Sequence, residues 1–529
     1  LFKRACLSKK TFPPDKNRHA LMPSRTKRFW LGLDVGTGGS RALLVDHTGR
    51  AHHAVTEPHH EMQMPRPLWA EQHPDDWWRA SQIAIRNVLR EANTDGDAIA
   101  GIGLTGQMHG LVMLNEKGSV IRPALIWCDQ RSQKQVDAVN AGVGAEMVLR
   151  CTANPMLTGF TAPKLLWVRD YEPEKFAEIR RILLPKDYIR YKLTGKFATD
   201  VSDASGTSLF DVVNRKWSDE LVSALNLDPA ILPRAYESSD ITGWVSESAA
   251  QTTALVSGIP VVAGAGDQAA SAIGNGIVRP GTVSCTIGTS GVVFAYLEKP
   301  AYDPLGRVHT FCHAIPGVWH VMGVTQGAGL SLQWFRNRLA SDSQYDDLTA
   351  EATLSPPGAD GLFWLPYLMG ERTPHLDATA RAAWVGLTAR HRRADMVRSV
   401  LEGVCYSQKD GLEIVASLGA RPALVRLSGG GAKSPFWHQL FADIFDCRVA
   451  TLATQEGSAY GAALLALVGT GESSSAAEIC DIAIREVDSR EPEAASALAY
   501  RKRYEIYRSL YPALKSSFQA IGQLDQHEK

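Results

Sequence analysis

No two of the eight cysteines stand as a C-x-x-C pair; they are scattered along the 529 residues. That spacing argues against a zinc ribbon, and the scattered thiols read as reduced, in a cytoplasmic protein, rather than as a disulfide framework. Nor is there a run of about 18 apolar residues, so no stretch reads as a membrane span. The first 27 residues, "LFKRACLSKKTFPPDKNRHALMPSRTK", are basic and lack the apolar core of a secretory signal. They are expected to be a disordered extension outside the fold, with Met22 as the candidate start. An excess of charge of one sign is missing as well. Lys+Arg and Asp+Glu number 56 each, so no long-range field selects nucleic acid or an anionic membrane. A small-molecule partner is the default. The His-His pairs at 52–53 and 59–60 come without the helical spacing or cysteines of a metal site and read as surface residues.

Apolar residues make up 45% of the chain and charged residues 21%, enough for more than one core. The stretch "LGLDVGTGGSRALLVD", from Leu31 to Asp46, places two apolar strands around a glycine turn. "VSCTIGTSGVVFAYLEK", from Val283 to Lys299, repeats the plan, with Gly36-Thr37 and Gly288-Thr289 in the same place. Two copies of one hairpin imply a duplicated chain. Strand-like "IAGIGLTGQ" alternates with helix-like "DDWWRASQIAIRNVLREA", and "PALVRLSGGGAKS" leads into "PFWHQLFADIF", which predicts an α/β fold with helix-covered sheets. The halves are expected to meet near "GIVRPG", Gly276 to Gly281. A closing amphipathic helix, "ALAYRKRYEIYRSLYPALKSSF", is expected to be interrupted near Pro512, with its tyrosines used for packing.

Glycine lets backbone N–H groups approach a ligand, and successive exposed N–H groups make an anion-binding concavity. Thr37, Ser40, Thr289 and Ser290 would add hydroxyl donors, so two facing hairpins predict a polyphosphate held between the halves. This is not a Walker loop: the Lys-Ser/Thr pair is missing and a strand, not a helix, follows each turn. The plainer reading of either copy alone is an ordinary β-turn. Asp34 enters the first turn, and a carboxylate beside phosphates needs a cation between them, so it is expected to face Mg²⁺; the plainer role is capping the turn. Gly429-Gly430-Gly431 offers a flat surface for adenine or ribose. Ser434, followed by Pro435, reads first as a helix N-cap.

The acceptor side is read from "VVAGAGDQAASAIG", an apolar strand ending in Asp267-Gln268. A carboxylate there is placed to take a hydroxyl proton as an alcohol attacks phosphorus; capping the following helix is the alternative. "ALIWCDQRS" puts Trp127, Asp129 and Arg131 on one alternating stretch, a candidate wall for a polyol. His109 in "GQMHG", taken alone, reads as a structural histidine.

Together these motifs, with "PLWAEQHPDDWW", "GFTAPKLLWVR", "LLPKDYIRYKLTG", "SDASGT", "GERTPH" and "GGGAKSPFW", resemble the FGGY family of carbohydrate kinases from about Arg28 to Tyr511. The resemblance implies the duplicated actin/hexokinase-like (ribonuclease H-like) ATPase fold, two lobes around a central cleft. It implies an N-terminal lobe over 28–278, a C-terminal nucleotide-binding lobe over 279–515 and a tail over 516–529. "Gln-Met-His-Gly" and "Phe-Thr-Ala-Pro-Lys-Leu-Leu-Trp" are closest to members acting on D-xylulose, with ATP and Mg²⁺ as the other reactants. Asp267 is then the proton acceptor; Met108, His109, Gln268 and Trp127 line the sugar; Asp34 and Asp267 face the metal. Gly36, Thr37, Gly38, Gly288, Thr289 and Ser290 lie at the phosphates, and Gly329, Gln333, Gly430 and Ser434 at the rest of the nucleotide. Gln268 stands where many such members carry Asn, and Ser434 where some do. A homodimer is allowed. The rival readings are a kinase for ribulose, a pentitol or gluconate, and a non-catalytic, ATP-switched binding protein on the same fold.

Overall fold

The computed structural model describes residues 29–454 and 456–527; the extension expected over 1–27, with Met22, lies outside the described residues. Strand β1 (Phe29–Val35) is buried along most of its length because it sits mid-sheet, pairing antiparallel with β2 (Gly39–Val45) and parallel with β4 (Ile99–Gly106). β3 (Ala51–Pro58) adds to β2. On the other side β6 (Pro260–Val262) runs parallel to β4, with β5 (Ile241–Trp244) antiparallel at the edge and β7 (Ala265–Gly266) extending the pairing to β4. The order is β5-β6-β4-β1-β2-β3.

The second sheet repeats this plan. Its hairpin is β8 (Thr282–Ile287) and β9 (Gly291–Leu297); β10 (His309–Cys312) and β11 (Trp319–Thr325) extend the β9 side. β12 (Leu424–Ser428) and β13 (Arg448–Leu452) run parallel to β8, and β14 (Glu486–Arg490) is the antiparallel edge. The order is β10-β11-β9-β8-β12-β13-β14. In both sheets a hairpin is followed by two parallel strands and an antiparallel edge, the topological form of the repeated motif.

The helices that matter are α1 (Pro74–Glu91), α2 (Thr161–Tyr171), α3 (Asp267–Gly274), α4 (Gly329–Leu339), α5 (Arg393–Ser417), α6 (Pro435–Phe445), α7 (Gly457–Gly469) and α8 (Ala494–His527). In α1, Trp77, Ala80, Ser81, Ala84, Ile85 and Val88 are buried at helical spacing. α7 follows β13 of the second sheet yet lies against the first. Gly32 of β1 and Gly103 of β4 pair in register, and a Cβ on either would stand 1.9 or 1.8 Å from the carbonyl oxygens of Ala459 and Ala462. The paired glycines make the floor on which α7 rests.

α8 is not interrupted at Pro512; it runs through that residue and past the expected 515 boundary to His527. A proline inside a helix removes one backbone hydrogen bond and crowds the preceding turn. Here the flanking turns are anchored by a buried stripe, Tyr500, Tyr504, Tyr507, Tyr511 and Phe518. The hydroxyls of Tyr500, Tyr504 and Tyr511 donate to Glu402, Asp410 and Asp377 at 2.6–2.7 Å. Seven cysteines among the described residues are free thiols, and among those residues no helix is long and apolar enough to cross a membrane.

Candidate active site

Three neighbouring strands bring two carboxylates together. Asp34 on β1 is level with Thr105 on β4, which is level with Ala265 on β7, so Asp34 and Asp267 emerge at the same end of the first sheet. Asp267 opens α3; the N-cap is Gly266, whose N–H donates to Ser202 Oγ at 3.1 Å. Asp267 is therefore not the cap. Burial, then the charge of Asp34, push its carboxyl up to about 7, against hydrogen bonds from Gln268. Burial also raises Asp34, opposed by the Ser458 hydroxyl, which donates to Oδ2 at 2.6 Å, and by Arg41. Asp34 Oδ1 is buried with no hydrogen-bond partner among the described residues.

Around the pair is a cavity of about 340 Å³. Gly36, Thr37, Met108, His109, Trp127, Gln268 and Ser290 line it alongside Asp34 and Asp267. A second cavity, about 560 Å³, is lined by Gly288, Thr289, Gly329, Gln333, Gly430 and Ser434. The second hairpin is the partition, presenting Ser290 to one cavity and Gly288-Thr289 to the other. Both turns have three residues closed by one backbone bond, Gly36 N to Gly39 O and Gly288 N to Ser290 O, each 3.0 Å. Gly38 is the exposed tip of the first and lines neither cavity.

The glycines of the larger cavity have separate local reasons. Gly329 starts α4 with its N–H on Gly288 O at 2.7 Å, and a Cβ there would meet that oxygen at 2.5 Å. Gly429, just before the lining residues, holds a φ of +85°, while a Cβ on Gly430 would meet nothing within 4 Å, leaving open space above it. Ser434 is the N-cap of α6, with Pro435 in the first turn and its Oγ accepting from Trp437 N at 3.3 Å.

In the smaller cavity His109 has a φ of +68°, and its ring lies 4.4 Å from that of Phe160, nearly parallel. Its Nδ1 is 2.7 Å from Gly206 O. A carbonyl only accepts, so Nδ1 carries the hydrogen and Nε2 keeps a lone pair. Burial holds the imidazole down at about 3, hence neutral. The Trp127 indole N–H donates to Thr37 Oγ1 at 2.9 Å.

Two expectations fail here. Asp129 and Arg131 do not form a polyol wall: the strand ends at Leu125, and both side chains are buried together, Arg131 Nη2 2.8 Å from Asp129 and Nη1 2.7 Å from Glu71. The alternation that suggested a shared face belongs to a loop, pinned where Ala70 N–H donates to Asp129 Oδ2. Ser40 offers no donor to the turn either. It already belongs to β2, is fully buried, and bonds His59 Nε2 and Ser81.

Residues 29–274 match the N-terminal domain of the FGGY family of carbohydrate kinases, and 283–470 match its C-terminal domain. The xylulose kinase of Escherichia coli (strain K12) is 40% identical over 490 residues, 92% of this chain and 99% of that protein. The chain belongs to the FGGY family of carbohydrate kinases. Among solved structures, a xyloylose kinase from Brucella ovis is 36% identical with a TM-score of 0.87, covering 92% of this chain and 99% of its own. A gluconate kinase from Lactobacillus acidophilus is 26% identical with a TM-score of 0.88, over 93% and 99%. The fold is accordingly the duplicated actin/hexokinase-like ATPase fold expected from the sequence, and the protein is a carbohydrate kinase.

Within this FGGY kinase, sequence reasoning missed several site residues. Ser458 reaches Asp34 from α7, and Arg372 enters the smaller cavity from the second half of the chain. Lys433, Tyr345 and Asp346 line the larger one. The small residues on either side of Tyr460, between Gly457 and Ala463, mark close packing of α7 but not its destination. "GERTPH" marked Arg372's neighbourhood but gave no reason to aim its guanidinium at the cavity.

Proposed function

We propose that this protein is a xylulose kinase, transferring the γ-phosphoryl group of ATP to the 5-hydroxyl of D-xylulose in the cytoplasm. The observation that carries the reading is the placement of Asp267, half-buried in the smaller cavity, whose other wall is the hairpin fronting the larger one. The length and level of identity to the Escherichia coli xylulose kinase support the choice of sugar. In this reading the sugar-side and nucleotide lobes divide at 278/279 as expected, and α8 carries the nucleotide lobe on past 515 to His527.

Asp267 accepts the proton of the attacking hydroxyl while its oxygen bonds to phosphorus and the bond to ADP breaks. Met108 supplies an apolar contact, His109 Nε2 accepts from a sugar hydroxyl, and Trp127 and Gln268 complete the lining. Gly36, Thr37, Gly288, Thr289 and Ser290 hold the phosphates, Gly38 standing outside both cavities; Gly329, Gln333, Gly430 and Ser434 surround the adenosine. The unpartnered Asp34 Oδ1 beside a second carboxylate fits a divalent cation. No group of three or more His, Cys, Asp or Glu among the described residues offers a full metal cage. That suits Mg²⁺, which takes one or two carboxylates and fills its shell with phosphate and water oxygens. When bound it neutralises charge between the phosphates and the two carboxylates.

The gluconate kinase shares this fold, so the acceptor is settled by assay. With ADP release measured over D-xylulose, D-ribulose, xylitol and gluconate, D-xylulose is expected to have the highest kcat/KM. A higher value for another acceptor overturns the choice of sugar. Asp267→Asn is expected to cut kcat by about 10³-fold or more with ADP affinity unchanged by calorimetry.

A further inference from the structure

Lys164 is fully buried, yet among the described residues no carboxylate lies within ion-pair distance of its ammonium group. The other fully buried cations do not behave this way. Lys186 meets Asp187 and Asp200 at 2.7 and 2.8 Å, Arg190 meets Asp187 at 2.6 Å, and the Arg131 side chain meets Asp129. A buried charge without a counter-charge is costly and calls for another use. Lys164 stands in "GFTAPKLLWVR", a motif the proposed chemistry leaves without a role.

Its contacts give the use. From the second turn of α2, Nζ donates to the carbonyl of His109 at 3.0 Å and to that of Gly159 at 2.5 Å. Thr161, the first residue of α2, donates its hydroxyl to the same His109 carbonyl at 3.1 Å. The residue between, Phe160, carries the ring that stacks on His109. Gly159 is pressed against Trp127, whose carbonyl oxygen a Cβ there would approach to 2.8 Å. One amine thus ties the backbone of His109 to the turn that holds its ring and backs Trp127. Such a tie helps hold His109, whose φ of +68° lies in the left-handed region that side-chain-bearing residues adopt uncommonly. Two carbonyl acceptors need two N–H donors, which an amine offers whether or not it is protonated. That accommodates burial, which pushes Lys164 down to about 7, partly offset by the charge of Asp129.

We infer that Lys164 is a positioning residue for the sugar, acting through the His109 and Gly159 carbonyls to fix the imidazole whose Nε2 receives a substrate hydroxyl. The inference rests on the sugar-kinase reading of the smaller cavity and adds to it a residue that does not touch substrate.

The test is Lys164→Met, which keeps the stem's bulk and removes the donors, alongside Thr161→Val, which removes the second donor to the same carbonyl. Steady-state kinetics in both substrates and calorimetric ADP binding are read together. Lys164→Met is expected to raise KM for D-xylulose at least 30-fold, with a smaller fall in kcat. KM for ATP and ADP affinity stay within twofold. Thr161→Val is expected to raise the sugar KM three- to tenfold in the same pattern, and it decides the matter alone if Lys164→Met does not fold. An unchanged sugar KM in the folded variants, or equal damage to sugar and ATP parameters, overturns the inference. A wild-type enzyme that ignores D-xylulose strikes the sugar assignment instead; the variants are then read on whichever acceptor it uses.

Discussion

Asp267 and Asp34 show how this fold raises a carboxyl toward neutral pH, as the proposed proton acceptor requires. Burial removes water from both, and the charge of Asp34 makes Asp267 harder still to ionise. The direction is fixed: a raised carboxyl is protonated below its midpoint and becomes an acceptor above it. In the unliganded protein a protonated carboxyl is expected to disappear as pH rises through about 7. Infrared difference spectra of wild type against Asp267→Asn would show it. In Asp34→Asn the neighbouring charge is gone while burial remains, so the midpoint is expected to fall without returning to the ordinary carboxylate value. A midpoint that does not move in Asp34→Asn means the two carboxyls do not interact. His109 follows the same physics with the opposite sign, since burial of an imidazole removes the charged form and leaves an acceptor nitrogen.

At the scale of elements, Ser434 separates a structural role from a nucleotide contact. Its hydroxyl accepts from Trp437 N–H at the start of α6. Ser434→Ala is therefore expected to lower stability by about 1 kcal/mol, read by urea unfolding, with KM for ATP within twofold. A tenfold rise in that KM would assign the hydroxyl to the nucleotide instead. This cap was legible because Ser-Pro before an apolar helix is a local signal. So were the two hairpins, where apolar strands flank glycine and no distant residue is needed to explain the turn. Ser40, Asp129 and Arg131 were misread for the complementary reason: alternation says which residues share a face only while a strand lasts. α1 takes one face of β2, and the chain leaves its strand at Leu125. The destination of α7 was hidden more deeply. Gly32 and Gly103 record its contact, but they lie more than 350 residues before Ala459 and Ala462, and nothing in either stretch names the other. Proline 512 shows that a local rule yields when buried side chains on both flanks hold the helix.

For the whole molecule, the two cavities differ in who builds them. Every residue lining the larger one lies at or beyond Ile287, on the second half of the chain. The smaller one takes its lining from both halves: Asp34 to Ser271 on one side, Ser290, Val292, Met322, Val324, Arg372 and Ser458 on the other. A ligand stabilises only those conformations in which it gains contacts. On the proposed assignment of the cavities, nucleotide gains most of its contacts from one half of the chain whatever the position of the other, whereas sugar gains its full set only when the two meet. Sugar, not nucleotide, is then the ligand that favours closure, and closure excludes water from the phosphoryl group only once an acceptor is present. A compact chain of 529 residues has a radius of gyration of about 24 Å. In small-angle scattering, saturating D-xylulose is expected to move the measured value toward that figure, and ADP alone to leave the free value unchanged. If ADP alone compacts the protein as far as the sugar does, the second lobe does not bind nucleotide independently, and the ordering of closure argued from the two linings is wrong.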